Sequence, residues 1–251
     1  MNIRVDVASA AEPVSIQVNG TTDVSGLMQR PRAARACLVL AHGAGAGMKH
    51  PFMVGIARDL ATRGVATLRY QFPYMERGSK RPDAPALCHA TVRAAVLAAR
   101  RLAPALPLIA GGKSFGGRMT SQAQAAAPLP GVHGLGFLGF PLHAPNRPSG
   151  ERGVHLLQVG IPMLFLQGTR DALADLTLMR RLVKRLGKSA TLKVLSGADH
   201  SFHVLVRSGR TDAQVRGEML DSLVDWIASV ATIHSPEQRL IQRRAGGAGR
   251  G

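Results

Sequence analysis

The chain predicts an α/β fold, on three observations. Apolar runs such as Ala36-Cys37-Leu38-Val39-Leu40-Ala41 read as strands buried on both faces. Longer helix-compatible segments alternate with them, the order that gives a mostly parallel sheet covered by helices on both sides. Several runs open directly into loops that are glycine-rich or carry an acid or a histidine, and in such sheets the chemistry gathers at the carboxyl ends of the strands. A length of 251 residues suits one domain with a sizeable core, expected over residues 1–233. From 234 to 251 the sequence turns to arginine and glycine and reads as a disordered basic tail.

Taken in order, Val14-Ser15-Ile16-Gln17-Val18 alternates at period two before the turn signal Asn19-Gly20, so the chain starts as a hairpin or two short edge strands. The strand over 36–41 runs into His42-Gly43-Ala44-Gly45-Ala46-Gly47, and a helix over about 52–62 follows, stopped by Gly64. Val65-Ala66-Thr67-Leu68-Arg69-Tyr70 is the next strand. It leads into Gln71-Phe72-Pro73-Tyr74-Met75-Glu76 and a loop expected near a pocket mouth, with Phe72 and Tyr74 either walls of that pocket or core packing beneath the loop. A helix over 86–101 closes before Pro104, a strand over 106–110 follows, and a second helix over 118–127 ends at Pro128-Leu129-Pro130. The strand over 132–140 is rich in glycine, which points to close helix packing. Between Pro141 and the strand beginning near Pro162 there is room for a loop and a short helix, not for a lid domain. A strand from Met163 ends in a loop presenting Asp171, and a basic amphipathic helix spans 174–186. The last strand is Leu192-Lys193-Val194-Leu195, and a helix over 215–229 carries Leu220, Leu223, Val224 and Ile227 as a core stripe.

Gly112-Lys113-Ser114-Phe115-Gly116 fits G-x-S-x-G, the turn that presents a nucleophilic serine between a strand and a helix. A strained turn at the serine requires neighbours two positions away without side chains. The helix that follows aims its first amides and its positive dipole end at the oxygen. A phosphate-loop alternative fails, because it needs glycine where Pro107 stands. A dinucleotide fingerprint in the 43–47 loop falls short, because it needs glycine at Met48, although Arg69 at the next strand end would suit a 2′-phosphate. That loop fits an oxyanion hole instead, with the N–H groups of Ala44 and Phe115 as donors.

A serine hydroxyl attacks at neutral pH only when an imidazole takes its proton and a carboxylate orients the imidazole. His200 and Asp171 are the candidates, in the order Ser, Asp, His. Asp171 is preferred to Asp175 because it follows the strand end directly, and a role as helix N-cap would be compatible with catalysis. His200 is preferred to His203 because Gly197 and Ala198 free its loop, while Asp199 adjoins His200 and is badly placed to reach its ring. His42, Gly43, Phe72, Tyr74 and His143 are the candidate pocket-lining residues. No metal site is expected, since His200 and His203 lack carboxylate partners and the H-E-x-x-H spacing.

The net charge of +17 comes from 32 Lys+Arg against 15 Asp+Glu. The basic residues are scattered, with no interleaved aromatic platform and no nucleic-acid module, so they read as a solvated surface and no specific nucleic-acid partner is expected. No apolar run is long enough to span a bilayer, and the start lacks the pattern of a secretion signal. Cys37 and Cys88 make no disulfide framework, and a cytoplasmic location is expected.

As a set, these motifs resemble the α/β-hydrolases, in particular the group containing testis-expressed protein 30 and regulatory subunit 3 of a histone-acetylating complex, close to the dienelactone-hydrolase-like enzymes. The matching pieces are His42-Gly43-Ala44-Gly45, Phe72-Pro73-Tyr74-Met75-Glu76, Gly111-Gly112-Lys113-Ser114-Phe115-Gly116-Gly117-Arg118, Gly139-Phe140-Pro141-Leu142-His143, Gln167-Gly168-Thr169-Arg170-Asp171 and Asp199-His200-Ser201-Phe202. The resemblance implies an α/β-hydrolase fold with an eight-stranded sheet, no large lid, the triad Ser114–Asp171–His200 and no cofactor. Dienelactone hydrolases proper carry cysteine as nucleophile, and serine stands there in this chain, so their substrate is not carried over. The expected function is hydrolysis of an ester or related acyl bond in a small molecule through an acyl-enzyme. The rival expectation is a non-catalytic module of the same fold that binds an acidic partner.

Overall fold

The computed structural model describes residues 10–233, and the tail expected over 234–251 lies outside the described residues. β1 (Glu12–Asn19) and β2 (Thr22–Gln29) form an antiparallel hairpin at one edge of the sheet. Its turn is Gly20-Thr21, one residue later than the Asn19-Gly20 signal, because Asn19 stays in the ladder opposite Thr22 and its side-chain oxygen accepts from the Thr21 N–H at 3.2 Å. The chain then alternates: β3 (Ala36–Ala41), α1 (Pro51–Ala61), β4 (Val65–Tyr70), the short α2 (Pro73–Glu76), α3 (Pro85–Leu102), β5 (Leu108–Lys113), α4 (Phe115–Ala126) and β6 (Val132–Leu138). After a 3₁₀ helix over Glu151–Gln158 come β7 (Met163–Gly168), α5 (Leu176–Leu186), β8 (Ala190–Leu195) and α6 (Asp212–Ile233). Proline at the first turn of α1, α2 and α3 costs nothing, since an amide there has no intrahelical partner.

The eight strands make one sheet in the order β1-β2-β4-β3-β5-β6-β7-β8. β2 is antiparallel to both its neighbours, and every other pairing is parallel. The chain steps outward from β3 to β4, then crosses back over β3 to β5, so the order reverses between β3 and β5. In open α/β sheets the crevice beyond the strand ends at such a reversal is where ligands bind. Here that crevice receives the loop after β3 and the turn after β5.

Period-two alternation divides the core. Cys37, Val39 and Ala41 of β3 belong with α3 and α4, through Val92, Ala95 and Met119, while Leu38 and Leu40 belong with Met53 and Ile56 of α1 and Val215 and Met219 of α6. Burying each large aliphatic side chain contributes about 2 kcal/mol, which explains why strands covered on both faces read as unbroken apolar runs. The glycines of β6 do admit a helix: a Cβ on Gly134 would lie 2.7 Å from the Trp226 ring of α6, and one on Gly136 3.3 Å from Leu223. β5 differs from expectation by continuing past Ala110, because Gly111 pairs with Gly136 of β6 and Gly112 with Ala41 of β3. Cys37 and Cys88 are buried free thiols. Among the described residues no helix is long and apolar enough to cross a membrane.

Candidate active site

Ser114 occupies the single residue between β5 and α4, at φ 51° and ψ −116°. A non-glycine residue there is strained, a cost of order 1–3 kcal/mol that surrounding contacts must hold. Two glycines make the bend sterically feasible. A Cβ on Gly112 would fall 2.5 Å from the Ala41 carbonyl oxygen, and one on Gly116 2.5 Å from that of His42. The turn is therefore pressed against the end of β3, and its serine is lifted into the crevice.

His200, in the loop after β8, meets that serine with Nε2 2.8 Å from Ser114 Oγ. Its Nδ1 lies 2.7 Å from Oδ2 of Asp171, whose side chain is fully buried. An ionised carboxylate only accepts, so Nδ1 carries the proton and Nε2 is left to accept from the serine hydroxyl. Asp171 is itself held: Oδ1 accepts from the Leu173 N–H at 2.8 Å, and Oδ2 also accepts from the Gln167 side-chain amide. Gln167, fully buried, anchors its own oxygen on the Phe140 N–H at 3.0 Å. In the sequence Gln167 figures only within the 167–171 motif, with no role assigned to it; a polar side chain inside an apolar strand, four positions before the acid, is the signal that points to one.

The rival residues have other partners. Asp175, not Asp171, is the helix N-cap, its Oδ1 accepting from the Leu178 N–H at 2.9 Å. His203 is exposed and lies 2.8 Å from Asp212, which raises its pKa. Asp199 folds back on its own loop, accepting from the N–H groups of Ser201 and His203. A second serine–histidine contact exists, Ser121 Oγ to His155 Nε2 at 2.8 Å. It lacks the rest of a nucleophile's setting: Ser121 lies inside α4 and bonds the Arg118 carbonyl, and the charged neighbour of His155 is Arg118 rather than a carboxylate. Burial first, then Arg118 and His89, pushes the His155 ring down to about 4.

The loop after β3 runs beside Ser114, so that a Cβ on Gly43 would lie 4.0 Å from the serine Cβ. Its shape is set from behind. His42 is fully buried, with Nε2 accepting from the Phe72 N–H at 3.1 Å and Nδ1 2.7 Å from the Gly43 oxygen, and burial pushes its pKa down to about 4, so it is neutral at pH 7. The Tyr74 hydroxyl donates to the Ala44 carbonyl at 2.7 Å. With its carbonyl tied back in this way, Ala44 takes its place in the cleft wall beside Ser114.

That cleft, about 280 Å³, is lined by Gly43, Ala44, Ala46, Phe52, Met53 and Lys113, with His50, Gly45, Ser114, His200 and Ser201 completing it. Of the candidate wall residues, Gly43 lines it and four do not. Phe72 and Tyr74 are wholly buried, packing edge-on to the His42 and Phe115 rings, so they support the loop from the core. His42 is buried beneath it, and His143 is buried elsewhere, its Nε2 accepting from the Asp175 N–H at 2.7 Å. A bare sequence pattern cannot distinguish a residue in front of a backbone loop from one behind it.

A serine on a glycine-flanked turn at a sheet's reversal point is a feature of one broad family, and the model of the alpha/beta hydrolase domain matches residues 34–228. The chain belongs to the alpha/beta hydrolase domain family. Solved alpha/beta hydrolases superpose on it at low identity. A dienelactone hydrolase from Anabaena variabilis gives a TM-score of 0.70 at 19% identity, covering 87% of this chain and 97% of its own. A serine hydrolase homologue from Coxiella burnetii gives 0.69 at 20% identity, with 86% and 98% covered. A serine hydrolase without a lid from Xanthomonas campestris gives 0.67 at 19% identity, with 87% and 95% covered. At such identities the likeness is one of fold.

Proposed function

We propose that this alpha/beta hydrolase is a serine esterase acting on small esters or related acyl compounds. One observation carries the proposal: the unbroken chain Ser114 Oγ–His200 Nε2 at 2.8 Å and His200 Nδ1–Asp171 Oδ2 at 2.7 Å, opening onto a cleft. Ser114 attacks the carbonyl carbon as His200 takes its proton, and Asp171 stabilises the resulting imidazolium. Negative charge collects on the carbonyl oxygen, where the N–H groups of Ala44 and Phe115 are the donors; the first-turn amide of α4 has no intrahelical acceptor and is free for this. His200 then protonates the departing alcohol, and the same histidine activates water to release the acid. The motif set that resembles testis-expressed protein 30 and its relatives supports placement in that group.

The deciding experiment is fluorophosphonate labelling with p-nitrophenyl acetate hydrolysis, in the wild type and in Ser114→Ala. Labelling and turnover present in the first and absent in the second support the proposal. Turnover that survives in the variant would refute it.

Cleft dimensions suggest the acyl group. A space of about 280 Å³ walled by Ala44, Ala46, Phe52 and Met53 is at the small end for ligand pockets, so short acyl esters are expected to be turned over faster than long ones. Phe52→Ala removes one wall and is expected to move the optimum of an ester-length panel towards longer chains. An unchanged profile would mean the acyl group binds elsewhere.

A further inference from the structure

Lys113 ends β5 immediately before the nucleophile, and its side chain turns inward. Nζ donates to the backbone carbonyl of His200 at 2.6 Å and stands 5.5 Å from the centre of the Phe202 ring. On one side is Gly139, at the end of β6 with φ +70°, where a Cβ would lie 3.1 Å from Lys113 Nζ and 3.4 Å from His200 Nδ1. On the other, Phe202 has φ 64°, an unfavourable value for a residue with a side chain, and its ring stacks on Phe52 of α1 at 6.1 Å. The loop after β8 owes its local shape to Asp199, which accepts from Ser201 and His203, and to the Ala198–Val204 bridge. It is bonded to the loop after β7, by the Arg170 N–H to the Ala198 carbonyl and the Gly197 N–H to Thr169 Oγ1, and to α6 by the Val204 N–H to Asp212. Besides the His200–Ser114 contact itself, the Lys113 bond ties the backbone of that loop to the strand bearing the nucleophile.

We infer that Lys113 is a positioning residue whose ammonium pins the loop after β8, keeping the His200 ring within reach of Ser114. The inference rests on the esterase reading and names a part of the site that the triad alone does not contain. The charged form matters, because a hydrogen bond from an ammonium to a carbonyl is roughly twice as strong as one between neutral groups. Asp171 from the β7 end and Asp199 from the β8 loop favour that form. Gly139, just past β6, and Phe202 bring no formal charge, and the His50 and His200 rings share the cleft. Burial outweighs the two carboxylates and brings the amine down to about 8. The pin is therefore expected to weaken as pH rises through that value.

The test measures p-nitrophenyl butyrate hydrolysis from about pH 6 to about pH 10 by the full chain, as wild type, Ser114→Ala, Lys113→Met and Lys113→Arg. Lys113→Met is expected to lower kcat about tenfold or more with KM changed by less than about threefold, and to slow fluorophosphonate labelling in step. Lys113→Arg is expected to recover most of kcat and to hold it at alkaline pH, where the wild type declines, because a guanidinium keeps its proton. If Lys113→Met does not fold, the arginine profile decides alone. Wild-type kcat in Lys113→Met, an arginine variant no better than methionine, or an alkaline limb that arginine leaves unmoved would each overturn the inference. Turnover persisting in Ser114→Ala would instead overturn the esterase reading, whatever the lysine variants do.

Discussion

Ser114→Ala is expected to lower kcat for p-nitrophenyl esters by a factor on the order of 10⁴ or more, with the unfolding midpoint nearly unchanged. In the proposed mechanism the hydroxyl is the attacking group, and what would remain without it is the oxyanion donors and the binding cleft, which would leave only slow water attack. The fold does not need the oxygen, since the backbone at φ 51° is held by Gly112, Gly116 and the end of β3. Ser114→Gly should be equally inactive yet more stable by about 1 kcal/mol, because glycine adopts that conformation without strain. Asp171→Asn should also cost about 10³- to 10⁴-fold. Turned one way, its NH₂ group confronts both the Gln167 amide and His200 Nδ1; turned the other, the imidazolium still loses its counter-charge. Combining Ser114→Ala with Asp171→Asn should cost little more than the serine change alone, since the proposed mechanism has the three groups act as a unit. Steady-state kinetics on purified variants, with circular dichroism to establish folding, checks all of these, and an active Ser114→Ala variant would contradict the first.

Gly111→Ala is expected to be the most damaging single methyl group in the sheet. A Cβ there would lie 1.9 Å from the carbonyl oxygen of Gly136, its neighbour in β6, and backbone in the middle of an eight-stranded sheet cannot step aside as a side-chain tip can. Overpacking of this kind costs about 3 kcal/mol or more, enough to lower the melting temperature of a domain this size by roughly 6–12 °C. Gly45→Ala is the control, since a Cβ there meets nothing within 4 Å, and its effect on stability should stay within about 0.5 kcal/mol. Urea melts with a common m-value compare the two. Equal midpoints would mean that the β5–β6 pairing is looser than its geometry indicates.

Much of this architecture was legible from residue pattern because each local signal has a local cause. Ala36–Ala41 is apolar throughout since helices cover both faces of β3. Gly112 and Gly116 flank Ser114 since any side chain there would strike the end of β3. Gly64, at φ 74°, follows α1 where the sequence places its stop, whereas the cap of α5 falls on Asp175 and not on Asp171. The side chains that support the site were not legible, because their partners are remote in sequence. Phe72 and Tyr74 read equally as pocket walls or as core packing, and they lie behind the loop they brace. Gln167 stood in the 167–171 motif without a role of its own and holds Asp171. Lys113 passed for the variable position of a motif and reaches 87 residues along the chain to the His200 carbonyl.

By itself, then, the amino-acid sequence determined the run of strands and helices, the strained serine turn, and which residue types at the strand ends were chemically capable of acting together. Periodicity and the steric demands of glycine and proline operate over a few residues, so they survive in one dimension. Only the tertiary structure decided that β3 and β5 lie side by side, that His200 rather than His203 faces Ser114, and that Lys113 ties the histidine's loop to the serine's strand. Those outcomes depend on strand order and on which side of a loop a ring packs, and both are settled by burial and close packing among segments far apart in the chain.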